Sequence, residues 1–401
     1  MKITVVGDIM CEPPILHAAK KPDGTYDFSP MYEKIKPLFS ESDYVIGNME
    51  TVLAGEEAGY TENFFSFNAP DSFGEALKDA GFDLVTTINN HTLDRGADGI
   101  IRTMEVLDKI GLPYTGTTMP GKPREGAHYF ERDGVRVAVV SYTYGINKHL
   151  TEEDEVARNL NRLAPFGNAS AKRISGKVYP TSWVDVLFPK MPREKQNKIH
   201  RFFKMPYLPV QTDGNIDHEV VDAYVTRMAD DIREAKKNAD FVLAFPHTGG
   251  QFNTTVGDFS QYIVETAIAA GADAVVASHS HVVQRAEYQS GIPCAYSLGN
   301  FSMSPLFYAI EAKHLREYGL AVHLYLTGAK VEKVTFTILK GVAKQGQQQV
   351  AWPVDALYGS LPSKAARKKL LQEVGQIYRI VTGKPLPEGP LQQEYLLEKT
   401  N

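Results

Sequence analysis

Five short apolar runs of the sequence each end in a polar motif that could take part in metal or acid–base chemistry. The motifs are Gly7-Asp8, Gly47-Asn48-Met49-Glu50, Asn89-Asn90-His91, Pro246-His247-Thr248-Gly249-Gly250 and Ser278-His279-Ser280-His281. In an open α/β sheet the carboxyl ends of the strands gather at one edge, where ligands bind. Five strands that each deliver such a motif therefore predict a single site.

The candidate ligands combine imidazole, carboxylate and amide donors. They are Asp8, Glu50, Asn90, His247, His279 and His281. The chain has only two cysteines, Cys11 and Cys294, so a closed structural zinc site of thiolates is excluded. A mixed nitrogen and oxygen shell suits one or two divalent ions of Mn, Zn or Fe. A carboxylate such as Glu50 could bridge two ions about 3.5–4 Å apart.

Each of these residues, taken alone, has an ordinary structural explanation. Asp8 could be a helix cap or turn residue, Asn90 a turn residue and His247 a half-buried histidine. The combination favours a site, because four of the eleven histidines fall in these strand-end loops. For Cys11 we favour a packed thiol over a ligand.

The elements that must position these residues follow an α/β pattern. Short β-branched runs alternate with amphipathic stretches. We predict helices over 71–80, 96–110, 217–237, 259–270 and 365–380, three of them closed by a glycine. Strands are predicted over 83–85, 240–245 and 273–277, and an antiparallel pair over 320–325 and 331–339. The polar last residues predict a frayed terminus.

Composition and charge narrow the functional classes. The 401 residues contain 43 Lys and Arg against 48 Asp and Glu, for a net charge of -5, so no stable nucleic-acid complex is expected. No apolar run reaches the length of a membrane span. The first residues are typical of a buried strand rather than a secretory signal, which favours a cytoplasmic protein.

A proline-rich insertion over about 147–212 interrupts the α/β pattern. Between residues 156 and 204 it carries eleven Lys or Arg and two acids. It could fold as a basic lid whose Arg158, Arg162 and Arg173 bind an anionic small molecule or polymer. The alternative is a solvated basic surface. We predict one domain over 1–340 that includes this insertion, and a mainly helical extension over 341–401.

Taken together, the motifs resemble the bacterial capsule-synthesis family typified by CapA (poly-γ-glutamate synthesis), within the calcineurin-like metallophosphoesterase superfamily. The resemblance runs in family order over about residues 1–302. Besides the five motifs it includes Asp94, Gly96, Gln261 and Tyr296-Ser297-Leu298-Gly299-Asn300-Phe301.

The resemblance implies a four-layer α/β/β/α sandwich with metal ions at one sheet edge. It implies one ion held by Asp8 and His281 and a second held by His247, His279 and Asn90, with Glu50 between them. His91 would lie beside the scissile group and protonate the leaving group, with Asp94 as its orienting partner. Asn300 and Ser297 would shape the pocket or serve as turn residues.

Two positions depart from the wider superfamily. Met10 stands where a histidine ligand is usual, and Glu50 stands where an aspartate is usual. A thioether is a poor ligand for these ions, so the first metal site loses a nitrogen donor. We therefore expect that site to bind its ion more weakly, to hold a water in place of the missing donor, or to be empty in the purified protein.

The leading functional hypothesis is a metal-dependent hydrolase that cleaves a phosphoester in an anionic substrate through a metal-activated water. Two alternatives stay open. The protein could be a non-catalytic or weakly catalytic component of poly-γ-glutamate or capsule biosynthesis, with partner proteins of that pathway. It could also be a metal-dependent amidohydrolase acting on γ-glutamyl bonds.

Overall fold

The structure is a computed structural model of the chain. It describes residues 1–62, 65–166, 216–306, 315–344 and 346–399, together with 184, 187–188, 190–191, 193–203, 211 and 213–214. Arg173, one of the predicted substrate-binding residues, lies outside the described residues.

Helices and strands alternate along most of the described chain. The helices are α1 (Pro13–Ala19), α2 (Lys36–Ser40), α3 (Asp71–Ala80), α4 (Gly96–Ile110), α5 (Glu155–Arg158), α6 (Arg193–Phe202), α7 (His218–Asn238), α8 (Asp258–Ala270), α9 (Val354–Ser360) and α10 (Lys364–Thr382). The strands are β1 (Lys2–Ile9), β2 (Tyr44–Met49), β3 (Leu84–Thr86), β4 (Tyr114–Thr115), β5 (His128–Arg132), β6 (Val135–Thr143), β7 (Phe241–His247), β8 (Ala274–Val276), β9 (Ala286–Gln289), β10 (Ile292–Ala295), β11 (Asn300–Ser302), β12 (Tyr318–Thr327), β13 (Lys330–Val342), β14 (Val350–Pro353) and β15 (Tyr395–Leu396). Among the described residues, none of the helices combines the length and the apolar character that crossing a membrane requires.

The strands form two mixed sheets. The first has the order β14-β13-β12-β1-β2-β3-β4, with β11 beside β1 and β15 beside β13. Its β1, β2, β3 and β4 are parallel, and β12 joins β1 antiparallel. The second has the order β5-β6-β7-β8-β10-β9 and is parallel from β6 to β10. The predicted α/β class is confirmed at this level.

Apolar side chains from both sheets meet in one core cluster. It includes Ile3 and Val5 of β1 with Val139 of β6 and Leu243 of β7. The helices α1 to α4 cover the other face of the first sheet, and α7 and α8 cover the other face of the second. Each parallel strand is therefore buried on both faces, as its continuous apolar sequence predicts.

Glycine ends three of the helices that carry the chain back to a sheet. Gly81, Gly111 and Gly271 follow α3, α4 and α8 with φ of 103°, 68° and 108°. This left-handed backbone suits glycine and satisfies the last carbonyl groups of each helix. The predicted helices over 71–80 and 96–110 are confirmed with the same bounds.

The C-terminal residues join the first sheet. β14 and β15 both pair with β13, and Glu394 accepts a hydrogen bond from Lys2 Nζ at 2.7 Å. The expectation of a frayed terminus is therefore wrong for Tyr395–Leu396. Helix α10 confirms the predicted helix over 365–380, whereas the division of the chain after residue 340 stays a prediction.

Candidate metal centre

The five predicted motifs converge at the carboxyl edge of the two sheets. In the first sheet Asp8 of β1 lies in register with Asn48 of β2 and with Asn300 of β11. In the second sheet His247 ends β7 and pairs through a parallel bridge with Ser278, the residue before His279. Parallel pairing brings these strand ends together, although they are up to about 290 positions apart in sequence.

Two groups of buried donors lie close enough to hold a cation. Glu50, His247 and His279 form one group, and Asp8, Glu50 and His281 form the other. Within each group the candidate ligand atoms all lie within 4.8 Å of one another. Glu50 belongs to both, which is the arrangement that a carboxylate shared between two ions requires.

The Glu50 carboxylate is the least compensated polar group of the cluster. Its side chain is 0% exposed, and neither of its oxygens has a hydrogen-bond partner among the described residues. Its Oε1 lies 3.5 Å from His247 Nε2 and 3.8 Å from His281 Nε2. A buried carboxylate in this state is costly unless a cation accompanies it. The residues present therefore fit a divalent metal ion.

Asp8 is held from three sides. Asn48 Nδ2 donates to its Oδ1 at 2.8 Å, and the backbone N–H of His279 donates to its Oδ2 at 3.1 Å. His281 Nδ1 lies 3.3 Å from the same Oδ2. The Asp8 carboxylate is therefore oriented before any ligand binds.

Asn90 and His279 meet His247 at the same ring nitrogen. Asn90 Oδ1 lies 2.8 Å from His247 Nε2, and His279 Nδ1 lies 3.1 Å from it. The opposite nitrogen, His247 Nδ1, lies 3.0 Å from the hydroxyl oxygen of Ser278. A partner at Nδ1 sets the ring orientation and directs Nε2 toward the cluster.

Asn300 orients His281 rather than facing open solvent. Its Oδ1 lies 2.9 Å from His281 Nδ1, and its Nδ2 donates to the carbonyl oxygens of His281 and Arg316. Ser297 lies in the turn before β11, where its hydroxyl accepts the N–H of Gly299 at 3.2 Å. Asn300 is thus in contact with a candidate ligand, and Ser297 shapes the turn that carries Asn300.

Gly7 permits the close approach of that turn to β1. The Asp8 N–H donates to the Gly299 carbonyl oxygen at 3.0 Å. A Cβ at residue 7 would lie 2.0 Å from the same oxygen, which is far inside van der Waals contact. The glycine before Asp8 is therefore a packing requirement of the site.

The candidate histidine ligands stand on a backbone that side chains rarely adopt. His279 has φ of 113° and His281 has φ of 54°, and neighbouring Phe252 has φ of 58°. Such conformations cost of order 1–3 kcal/mol each and cluster at functional sites. The surrounding hydrogen bonds hold both imidazoles toward the cluster against this cost.

His91 and Asp94 form a buried pair at the rim of the cluster. His91 Nδ1 lies 2.7 Å from Asp94 Oδ2, which also accepts the backbone N–H of Phe67 at 2.6 Å. The free ring nitrogen, His91 Nε2, lies 4.0 Å from Glu50 Oε1. The pair therefore presents one imidazole nitrogen to the space beside Glu50.

The electrostatic environment separates the histidines of the site. Burial and three neighbouring histidines lower the pKa of His279 well below its usual range. Burial also lowers the pKa of His281, but two carboxylates and Asn300 outweigh it and raise that pKa to about 9. For His91, burial lowers the pKa, but the carboxylates of Asp94 and Glu50 raise it by more. The net shift of the His91 pKa is therefore upward.

Asp8 shows the complementary effect. Burial raises its pKa, but the hydrogen bond with His281 and the charges of His247 and His281 outweigh burial and hold the pKa below its usual range. The Asp8 carboxylate is therefore ionised at neutral pH, as a metal ligand must be.

Residues 2–304 match the sequence profile of the family described as bacterial capsule synthesis protein PGA_cap. The chain belongs to this family. The matched residues carry all of the donors described above.

Curated relatives of this PGA_cap chain carry capsule-related names. The capsule biosynthesis protein CapA of Bacillus anthracis is 25% identical over 333 residues, which are 80% of this chain and 66% of the relative. The PGA biosynthesis protein CapA of Bacillus subtilis (strain 168) is 24% identical over 68% of this chain and 56% of the relative. The chain thus spans less than two thirds of the length of either relative.

A solved structure of a hypothetical protein from Thermus thermophilus is also similar. It shares 15% sequence identity with a TM-score of 0.42, over 85% of this chain and 99% of that chain.

Two of the three arginines predicted to bind substrate, Arg158 and Arg162, are among the described residues. Arg162 is buried, forms an ion pair with Glu152 at 2.6 Å and stacks on Phe166 at 3.8 Å. Its guanidinium thus contacts Glu152 and Phe166, and a role in substrate binding stays a prediction. Arg158 is exposed, and its side chain donates to the Glu153 carbonyl oxygen.

Two sulfur-bearing residues, Met10 and Cys11, lie just after Asp8, and both are buried. Met10 is 3% exposed, and its N–H donates to the carbonyl oxygen of Ser302 at 3.1 Å. Cys11 is fully buried in the apolar cluster between the first sheet and helices α1 to α4, in keeping with a packed thiol. Cys11 is not among the metal-donor groups that the described part of the chain forms.

Three aromatic side chains and one amide at the site were not predicted from sequence. The rings of Phe67, Tyr144 and Phe252 lie 4.5 Å from His91, 4.3 Å from His279 and 5.5 Å from His281, respectively. Asn48 was part of a quoted motif, but it had no assigned role. Its place opposite Asp8 on the neighbouring strand was the signal that could have identified it.

Proposed function

We propose that the chain is a metal-dependent hydrolase that cleaves a phosphoester bond in an anionic substrate, within a four-layer sandwich of metallophosphoesterase type. The observation that carries the proposal is the Glu50 carboxylate. It is fully buried, has no described hydrogen-bond partner, and lies 3.5 Å and 3.8 Å from imidazole nitrogens of His247 and His281. A cation-binding role explains why such a group is tolerated.

The donors divide into two sets around Glu50. Asp8 and His281 would hold one ion, and His247, His279 and Asn90 would hold another. A divalent ion of Mn, Zn or Fe bound there supplies Lewis-acid activation of water for attack on phosphorus. The first set has Met10 in place of a nitrogen donor, so we expect the second to bind its ion more tightly.

His91 is the proposed proton donor to the leaving group. Asp94 fixes the ring through its contact with Nδ1 and leaves Nε2 facing the space beside Glu50. In the reaction, Nε2 would give its proton to the oxygen that leaves phosphorus. Asp94 would stabilise the charged imidazole and act as a positioning residue.

The ends of the basic insertion support an anionic substrate. The N–H of Asn147 donates to the Asn90 carbonyl oxygen at 2.8 Å, and the N–H of Gln211 donates to the Gln251 carbonyl oxygen at 2.8 Å. The insertion therefore leaves and re-enters the fold beside the metal centre. We propose that its exposed basic residues, Arg158 among them, attract polyanions in a salt-dependent manner.

Family membership favours a second candidate function. Two relatives are named for capsule or PGA biosynthesis. On this basis the chain would bind poly-γ-glutamate and capsule-synthesis partners, with weak or no turnover. The same donors could alternatively activate water for attack on the carbonyl of a γ-glutamyl amide.

A substrate screen separates these functions. The protein would be loaded with Mn, Zn or Fe and assayed against generic phosphoesters and γ-glutamyl amides, with His91→Ala and His279→Ala as test variants. We expect phosphoesterase turnover that falls by about 10²–10⁴-fold in His91→Ala with bound metal retained. His279→Ala should lose both metal and turnover.

An exposed histidine on α1 provides the matched control, and His17→Ala should leave turnover and metal content unchanged. Metal binding without turnover of either substrate class would contradict the phosphoesterase and support the polymer-binding role. Turnover of γ-glutamyl amides alone would support the amidohydrolase.

A further inference from the structure

Three donors share one carbonyl oxygen at the rim of the metal centre. The oxygen of Asp94 accepts hydrogen bonds from Lys148 Nζ at 2.6 Å, Arg95 Nη1 at 3.1 Å and Ser66 Oγ at 3.2 Å. A carbonyl oxygen has two lone pairs, so the donors exceed the capacity of this acceptor. Two of the three donors are positively charged groups.

Neither of these two cations forms a close ion pair among the described residues. The carboxylates of Asp94 and Glu62 act on the Arg95 guanidinium from beyond ion-pair distance, and no described carboxylate pairs with the Lys148 ammonium, which donates to the Asp94 carbonyl oxygen. The Asp94 carboxylate is occupied by His91 Nδ1 and by the N–H of Phe67. Two like charges directed at one oxygen repel each other unless an anion is placed between or beside them.

The two side chains differ in the donors that they have left. Arg95 also donates to the carbonyl oxygens of Ala58 and Gly59 and to Ser66, so most of its N–H groups are used. Lys148 is exposed, and Asp94 is its single described hydrogen-bond partner. The ammonium therefore keeps two N–H groups for a ligand.

Lys148 lies in a loop that contacts the segment carrying His91, the proposed proton donor to the leaving group. The preceding residue, Asn147, donates its N–H to the carbonyl oxygen of Asn90 at 2.8 Å. This contact ties the loop to the segment that carries both a candidate ligand and His91. Because the Lys148 ammonium also donates to the Asp94 carbonyl oxygen, it lies beside the backbone of the residue that holds His91.

We infer that Lys148 and Arg95 form an anion-binding subsite that receives a carboxylate or phosphate group on the leaving portion of the substrate. The inference rests on the proposed function, because His91 defines the leaving-group side. It adds a substrate class: esters whose alcohol portion carries its own negative charge. Lys148 supplies the free donors, and Arg95 holds the rim and adds positive charge.

Binding of non-hydrolysable phosphonates tests the subsite without requiring turnover. Calorimetry on the Mn²⁺-loaded protein would compare 4-carboxyphenylphosphonate with its neutral isostere, 4-carbamoylphenylphosphonate. We expect the carboxylate to bind about fivefold more tightly than the amide, the size of a partly exposed ion pair. Lys148→Gln should abolish this preference, and Lys148→Arg should retain it.

The matched control is Lys109→Gln, which removes an exposed lysine at the far end of α4 and should keep the preference. If Lys148→Gln keeps the preference for the carboxylate and only has a lower melting temperature, Lys148 serves to hold its loop in place. That result would contradict the proposed subsite. Absence of any preference in the unaltered protein would also overturn it.

The outcomes for the subsite and for the proposed function are distinguishable. A carboxylate preference without hydrolysis of any phosphoester leaves the subsite standing and contradicts the hydrolase. Hydrolysis of phosphoesters without a carboxylate preference supports the hydrolase and contradicts the subsite. If neither phosphonate binds the Mn²⁺-loaded protein, both proposals fail.

Discussion

Oε1 of Glu50 lies 3.5 Å from Nε2 of His247, yet the two atoms do not form a hydrogen bond. His281 Nε2 and His91 Nε2 face the same oxygen at 3.8 Å and 4.0 Å. Three imidazoles thus surround a buried carboxylate at a separation too long for direct bonding. A space of this kind, lined by nitrogen and oxygen donors, has the chemistry of a cation site.

Replacing Glu50 by glutamine should stabilise the metal-free protein. The substitution keeps the shape of the side chain and removes a buried charge that faces His281 at 3.8 Å but has no hydrogen-bond partner among the described residues. We therefore expect a gain of about 1–3 kcal/mol in the free energy of unfolding. Chelation should destabilise the unaltered protein and should have little effect on Glu50→Gln. Urea unfolding with and without chelator measures both effects.

The opposite sign would contradict a metal role for Glu50. If Glu50→Gln is less stable than the metal-free protein and keeps its response to chelator, the carboxylate serves the fold through contacts of its own. Asp71→Asn is a suitable control, because Asp71 forms a half-exposed ion pair with Arg102 on α4, outside the site.

Removing the Asn300 amide should weaken metal binding without removing a ligand. Asn300 Oδ1 lies 2.9 Å from His281 Nδ1 and fixes the ring. Because the loss of such an orienting partner weakens a metal site, we expect the affinity to fall by about 10–100-fold in Asn300→Ala. Competition with a chromogenic chelator gives the affinity.

Ser297→Ala is the matched control for Asn300→Ala, since Ser297 lies in the same turn and its hydroxyl contacts Gly299 rather than a histidine. Equal losses in the two variants would show that the turn as a whole, and not the amide, determines the affinity.

Adding one methyl group at residue 7 should disrupt the site through the backbone. In Gly7→Ala the new Cβ would lie 2.0 Å from the Gly299 carbonyl oxygen, and backbone cannot yield as a flexible side chain does. We expect a loss of about 1–3 kcal/mol or more in stability, together with weaker metal binding. Denaturant unfolding and metal titration report the two effects.

The control for Gly7→Ala has the opposite expected sign. Gly375 lies in α10 with no atom within 4 Å of an added Cβ. Gly375→Ala should therefore stabilise the helix by about 0.5–1 kcal/mol. A neutral Gly7→Ala would show that β1 and the turn can separate without cost.

The acid sensitivity of the fold should depend on His323. This buried imidazole contacts the hydroxyls of Thr4 at 2.8 Å and Thr337 at 2.9 Å, and burial, aided by the charge of Lys2, lowers its pKa from 6.5 to about 3. Between these two pH values the unfolded chain binds a proton that the folded chain excludes. Stability therefore falls as the pH drops below 6.5, by up to about 1.4 kcal/mol per pH unit.

In His323→Asn this contribution disappears, so the plot of unfolding free energy against pH should be flatter between about pH 6 and pH 4.5. Above the usual histidine pKa the slopes of variant and unaltered protein should agree. Urea titrations at a series of pH values provide the data, with exposed His17→Asn as the control. Identical slopes in all three proteins would assign the acid sensitivity to other groups.

Local structure was predictable where the sequence carries its own signals. The helices over 71–80 and 96–110 agree with prediction, because a terminal glycine and a one-sided apolar stripe mark each one. That the polar motifs at the strand ends lie together was also predictable, because the carboxyl ends of parallel strands lie at one edge of a sheet. The C-terminal strand was missed, since Tyr395–Leu396 pairs with β13 through a contact that local sequence does not encode.

The sequence by itself determined which donors the chain possesses and which strands carry them: the types and order of Asp8, Glu50, His247, His279 and His281. Only the tertiary structure decided that Glu50 lies between two donor groups without a hydrogen-bond partner among the described residues, and that Arg162 is buried against Phe166 while Lys148 stands at the rim. The physical reason is that residue type and spacing depend on the chain alone. Burial, partner and charge balance depend on which distant segments pack together.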